Sequence, residues 1–205
     1  MLVAVEGIEG SGKSTLVAAL GSRLRERGFD VLLTREPGGT PAGNAIRRIF
    51  LDRTVSIEPL AEAFLVNAAR AQHVAEVLRP ALDAGRIVIC DRFIDSTLAY
   101  QGYGRGLDLA QLRAVCSTAT GGLSADLNLV LDLPVDVARA RLRERGERTD
   151  RIEAEGDDFH QRVRRGFLEI AGSAHHRLLD GTLPPDTLAE LAFAGLEECL
   201  RAAQP

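Results

Sequence analysis

Apolar residues along this chain follow two rhythms. Continuous runs of strand length, LVAVE at 2–6, VLLT at 31–34, IVICD at 87–91, LNLVLDL at 127–133 and a shorter RLLD at 177–180, show no polar alternation and read as strands buried on both faces. Between them lie amphipathic stretches of helix length: Lys13 to about Arg27 with Gly28 as its stop, then 40–51, 58–83, 108–118, 135–145, 158–171 and 186–202. Strand and helix alternate, which predicts an α/β fold in which helices flank a five-stranded parallel sheet.

Two segments break the rhythm. In TREPGGTP at 34–41, Pro37 and the paired glycines preclude a continued strand or helix. RERGERTDRIEAEGDD at 143–158 is almost wholly charged, and by composition alone it reads as a solvated turn. No internal repeat or low-complexity linker is visible, and 205 residues suit a single domain with its own core.

Composition narrows the function mostly by exclusion. A formal charge of −4 gives no general pull toward nucleic acid or anionic membrane, so any anion binding must be local. Cys90, Cys116 and Cys199 are odd in number and in no metal-ligand spacing, which argues against disulfides or zinc and for a reducing cytoplasm. Residues 1–20 lack the basic-then-apolar pattern of a signal peptide and have no run able to span a membrane. The four histidines look incidental, with the adjacent His175 and His176 reading as surface residues. Of 25 basic residues only Lys13 is lysine.

That lysine lies in the sharpest motif. Gly7, Gly12, Lys13 and Ser14 satisfy GxxxxGK[ST] directly after an apolar strand and before a helix. In such a loop the backbone N–H groups of Gly10, Ser11, Gly12 and Thr15 turn toward phosphate oxygens and the helix N-terminus adds its positive dipole end. Lys13 then reaches the β and γ phosphates, and the Ser14 hydroxyl is a magnesium ligand. The pattern points to a nucleoside triphosphate. A GTPase is disfavoured because an NKxD motif needs a second lysine, and a mechanical ATPase because the chain is short and no strand ends in tandem acids. A small kinase remains. Asp91, closing IVICD, is the better candidate for a second metal position because Arg92 follows it and can clamp a phosphate; Asp132 reads as a helix N-cap.

With GIEGSGKST, TREPGGTPAGNAIRRIFLD, NAARAQH, CDRFIDSTLAYQGYGRG and DRIEAEG in this order and at these separations, the chain resembles bacterial thymidylate kinase from Met1 to about Arg165. The resemblance implies a three-layer P-loop kinase fold and transfer of the γ-phosphoryl group from ATP, with Mg2+, to dTMP. It implies acceptor contacts from Glu9, Glu36, Pro37, Arg47, Arg70, Arg92, Ser96, Thr97, Tyr100 and Gln101. Arg47, Arg70 and Arg92 fall near the dTMP phosphate, Thr97 near the thymine edge and Tyr100 against the deoxyribose; a core aromatic is the alternative for Tyr100. Glu9 falls where the family places an acid facing the acceptor sugar. A phenylalanine usually stacks on thymine four residues before the arginine of NAARAQH; here that position is Val66, so the resemblance leaves Val66 and Phe64 as a looser apolar wall.

Some members of the family carry the transition-state arginine in the phosphate loop and others in a lid. None of Ile8, Glu9, Gly10 and Ser11 is basic, so the lid must supply it. The resemblance places the lid at about 143–158, with Arg145 bridging the transferring group and Arg141, one helical turn earlier, against ATP. ERT at 147–149 is one residue longer than usual, which leaves the register around Arg148 open. The family is usually dimeric, and the long 58–83 helix, apolar on more than one face, is the candidate surface for a second subunit. Set against this reading are another small P-loop nucleoside or nucleoside monophosphate kinase, and a regulatory protein that binds ATP without transferring phosphate.

Overall fold

The computed structural model describes residues 1–146 and 149–202. Five strands, β1 (Leu2–Gly7), β2 (Val31–Arg35), β3 (Ile87–Asp91), β4 (Leu127–Asp132) and β5 (His176–Asp180), pair in parallel in the order β2-β3-β1-β4-β5. Parallel pairing requires crossovers, and every one contains a helix: α1 (Lys13–Glu26), α2 (Pro41–Leu51), α3 (Pro59–His73), α4 (Arg79–Asp83), α5 (Ile94–Thr97), α6 (Leu109–Thr120), α7 (Val135–Arg145) and α8 (Asp157–Ile170), with α9 (Pro185–Ala202) last. The chain leaves β1 on one side to build β2 and β3 and returns on the other to build β4 and β5. A crevice therefore opens at the carboxyl ends of β1 and β3.

Burial follows the sheet order. All of β1 is buried, but the edge strands β2 and β5 are half-exposed, which corrects the expectation that every apolar run is covered on both faces. An edge strand has only one neighbour to hide it. On one face Val3, Val5, Leu127 and Leu129 pack against Leu16 and Leu20 of α1 and Leu188 and Leu196 of α9. The other face has two clusters: Leu2, Ala4 and Val88 with Leu78 and Phe93, and Val130 and Leu133 with Phe159, Val163 and Phe167 of α8. Each fully buried side chain of this kind contributes about 1.5–3 kcal/mol.

The 58–83 stretch is continuous but not uniform: α3 runs through a π-helical turn, Val74–Leu78, into α4. A second π-helical segment, Leu98–Gly104, extends α5. Gly102 and Gly104 are required there, since a Cβ on Gly104 would lie 2.7 Å from Phe159 of α8 and one on Gly102 2.4 Å from Leu109. Local capping agrees with the sequence at α2, where the Thr40 side chain accepts from the Gly43 amide at 2.9 Å. Asp132, expected as a cap, instead receives Arg164 through two bonds of 2.7 and 2.9 Å, and α7 starts at Pro134 without a side-chain cap.

Candidate active site

A cleft of about 900 Å3 occupies the crevice. It is lined by every predicted site residue except Gly7 and Phe64.

One end of the cleft is the turn between β1 and α1. Gly10 has φ 76°, and a Cβ there would meet the Ala138 carbonyl oxygen at 2.7 Å, so the loop lies directly against α7. Gly7 sits below the cleft, a Cβ there being 2.6 Å from the Leu131 carbonyl oxygen. Lys13 is buried and donates to the Ile8 carbonyl at 2.7 Å. Burial, with Arg92 adding to it, brings its ammonium down to about 8 against the pull of Asp91, Glu9 and Glu6. The Ser14 hydroxyl donates to Asp91 Oδ2 at 2.8 Å, so β3 delivers its terminal acid to the first turn of α1. Ser11 is buried with no hydrogen-bond partner for its hydroxyl, as befits a loop shaped around a group of its own. A hard divalent cation favours oxygen donors such as the Ser14–Asp91 pair.

Arg92 organises the other end of the cleft. It follows Asp91 with φ 73°, left-handed for a large side chain. Its Nη1 donates to the Gly7 carbonyl and to Ser96 Oγ, both at 2.9 Å, while Nη2 donates to Glu9 Oε1 at 2.7 Å and Tyr100 Oη at 3.2 Å. Burial opposes its charge, but Tyr100, Glu9, Asp91 and Glu6 together raise its pKa, so it stays protonated. Glu9 also accepts from the Tyr100 hydroxyl at 2.5 Å. Burial works against the Glu9 carboxylate, yet Arg92 and Lys13 hold it below the ordinary range. Tyr100 lines the cleft, and its ring packs edge-on against Phe167 at 6.0 Å.

The remaining predicted residues form two walls. Glu36, joined to Pro37 by a cis peptide, takes Arg70 Nε at 2.7 Å and His73 Nδ1 at 3.0 Å. Arg70 further donates to the Asn67 side chain and the Phe93 carbonyl, so its nitrogens are committed to the protein frame. Arg47 donates to the Pro37 carbonyl at 3.1 Å; burial lowers its pKa, with Arg35 and Arg92 adding to the effect. Val66 faces the cleft beside Phe50, Leu51 and Ile152. Phe64 does not: it is 54% exposed on the outer face of α3, which corrects its expected place in the apolar wall. Two residues along a helix turn the side chain by about 200°, and the cleft wall has Phe50 of α2 packed with Val66 instead. Thr97 is buried at the cleft, and Gln101 donates to the buried Glu62 at 3.2 Å.

Beside the Gly10 turn, Arg141 and Arg145 of α7 both line the cleft, Arg141 donating to the Gly181 carbonyl at 3.0 Å. Asp150 and Glu153 cap one another's backbone: Asp150 Oδ1 accepts from the amides of Ile152 and Glu153, and Glu153 Oε2 accepts from that of Asp150. Arg151 donates its amide to the Leu51 carbonyl at 3.1 Å and its Nε to that of Phe50 at 2.9 Å, with Ile152 buried in the core, so this limb is fastened to α2. Arg148 lies outside the described residues.

Sequence reasoning missed three of the four histidines and Glu6, while His175 is exposed as expected. His73 is buried between Glu36 and Thr34, His176 bonds Asp95 at 2.7 Å, and His160 approaches Glu9 at 4.0 Å, none of them incidental. Glu36, His73 and Cys90 come close enough to hold a metal, but hydrogen bonds already occupy each of them.

Comparison with known proteins agrees with this geometry. Residues 5–190 match the family model described as thymidylate kinase. The chain is 49% identical to the thymidylate kinase of Desulfovibrio desulfuricans over 98% of its length and 97% of that protein's. It is 48% identical to the thymidylate kinase of Deinococcus radiodurans, covering 97% of both. The crystal structure of the Ehrlichia chaffeensis thymidylate kinase superposes with a TM-score of 0.77 at 29% identity, over 96% of this chain and 98% of that one. A match that extends from the phosphate loop to α9, at nearly half identity to two full-length relatives, places the chain in the thymidylate kinase family.

Proposed function

We propose that this cleft transfers the γ-phosphoryl group of ATP to dTMP, giving ADP and dTDP. The observation that carries the reading is the opening of Lys13 and Arg92 onto one cleft with Glu9 between them, two cationic phosphate sites joined by a single loop. The acceptor oxygen is ionised near neutral pH, a phosphate monoester having a second pKa of about 6, so no general base is required. What the protein supplies is alignment and charge.

Gly7, Gly10, Ser11, Gly12 and Thr15 shape the donor loop, and Lys13 leaves the Ile8 carbonyl for the β and γ phosphates. Ser14 and Asp91 are the residues to hold Mg2+, which when bound neutralises charge on those phosphates. Arg92 receives the dTMP phosphate with Arg47 beside it. Arg70 and Glu36 stiffen the wall, and Val66 with Phe50 flanks the base. Thr97 and Gln101 address the base edge, Ser96 the phosphate end, and Tyr100 with Glu9 the deoxyribose. Arg141 holds ATP, and Arg145 bridges the transferring group from a lid spanning about 143–158 of a single domain. Arg145→Ala should lower kcat by about a hundredfold while moving the KM for dTMP much less; an unchanged kcat refutes the assignment.

No described helix is long and apolar enough to cross a membrane, and a cytoplasmic homodimer is part of the same reading. The dimer is supported by α3, whose exposed residues Leu60, Ala61, Phe64, Ala68 and Ala71 form one apolar stripe. The deciding experiment is a coupled ADP-release assay across dTMP, dUMP, dGMP, dCMP, AMP and thymidine. Highest activity with dTMP is expected. Preference for any other acceptor overturns the substrate, and ATP binding without acceptor-dependent ADP release overturns the transfer.

A further inference from the structure

One buried carboxylate sits directly under the acceptor arginine without reaching the cleft. Glu6 precedes the phosphate loop at the end of β1, is 0% exposed and is not among the cleft's lining residues. Its Oε1 accepts the Phe93 amide at 2.7 Å and its Oε2 accepts the Ser96 hydroxyl at 2.5 Å. Ser96 Oγ in turn accepts Nη1 of Arg92 at 2.9 Å. In its ionised form this carboxylate only accepts, so the serine proton then points to Glu6 and the serine lone pairs are left for the guanidinium.

Arg92 needs such support. A non-glycine residue in the left-handed region costs about 1–3 kcal/mol and persists only where its neighbours over-determine it. Its own amide donates to the Val5 carbonyl at 2.9 Å and its carbonyl accepts the Cys90 thiol at 3.0 Å. The next amide along the chain, that of Phe93, belongs to Glu6. Burying this carboxylate is costly. Burial and the neighbouring Asp95 push it up to about 7, while Ser96, Arg92 and the Phe93 amide pull the other way, and no catalytic step uses it.

We propose that Glu6 is a positioning residue for acceptor recognition: by gripping the Phe93 amide and the Ser96 hydroxyl it fixes the backbone of Arg92 and aims its guanidinium at the acceptor phosphate. This rests on the phosphate-binding role of Arg92 given above. Glu6→Gln keeps the shape but replaces one acceptor by a donor, so whichever way the amide turns, either Phe93 or Ser96 loses its acceptor.

The test is calorimetric titration of wild type and Glu6→Gln with dTMP, thymidine and ATP. Wild type should bind dTMP more tightly than thymidine; the variant should lose about tenfold or more of that preference, with thymidine and ATP affinities within about twofold of wild type. Equal weakening toward thymidine marks a merely structural role and overturns the proposal, as does an unchanged preference. On an Arg92→Ala background the same substitution should leave dTMP affinity unmoved, and a further loss there also overturns it. Should Glu6→Gln fail to fold, Glu6→Asp, which retracts the charge by one methylene, must show the selective loss. A wild type with no preference for dTMP refutes the acceptor-site reading itself, and the role of Glu6 with it.

Discussion

Glu9 places a negative charge in a loop built for phosphates, and its neighbours explain how that is tolerated. It is bonded to Arg92 at 2.7 Å and to Tyr100 at 2.5 Å, which in the proposed reading is the acceptor side of the loop rather than the donor side. Glu9→Gln should therefore raise the KM for dTMP or lower kcat by about tenfold while ATP binding changes by less than about twofold, and steady-state kinetics in both substrates checks it. Residues of this kind were legible because their side chains contradict their surroundings: a lone lysine in a glycine turn, an Asp-Arg pair ending an apolar run. Glu6 was not, since it closes LVAVE and reads as the end of a strand like any other. Asp132 was misjudged because its partner, Arg164, lies on α8, far along the chain and invisible to a local reading. Val66 and Phe64 differ by two positions, and only the phase of α3 against the sheet decides which of them faces inward.

At the level of elements, the phosphate loop and α7 behave as one unit. The Gly10 site leaves 2.7 Å between a hypothetical Cβ and the Ala138 carbonyl, and its backbone is left-handed at φ 76°. Gly10→Ala must strain the turn and push α7 away together with Arg141 and Arg145. The expected cost is ~2 kcal/mol or more in stability, with the larger loss in kcat/KM for ATP rather than dTMP. Thermal melts and kinetics in both substrates separate the two effects. Strand and helix identities were readable because burial imposes their periods, and the five apolar runs coincide with β1–β5 to within a residue at either end. The π-helical segment Leu98–Gly104 was not readable, because no apolar period distinguishes it from an α-helix. It depends on Gly102 and Gly104 admitting Leu109 and Phe159, contacts made across the fold. The exposure of β2 and β5 was hidden for a similar reason: an apolar run looks the same at an edge as in the centre.

For the whole molecule, the apolar stripe of α3 fixes what a second subunit would cover. Leu60 and Phe64, 53% and 54% exposed, would each contribute about 1–1.5 kcal/mol if the exposed half were buried. Phe64→Asp should shift the protein from dimer to monomer in sedimentation velocity with its helical circular dichroism unchanged; a wild type that sediments as a monomer refutes the dimer. Charge is the other property of the molecule as a whole. The chain carries a net −4, yet both proposed substrates are polyanions, and the acceptor arginine is already matched by Glu9 before either arrives. On the proposed reading Glu9 keeps its bond to Arg92 and offers its second oxygen to the sugar, so an incoming phosphate meets an arginine whose charge is already partly answered; a bare inorganic phosphate, with no sugar hydroxyl for that oxygen, is held less well than a nucleotide.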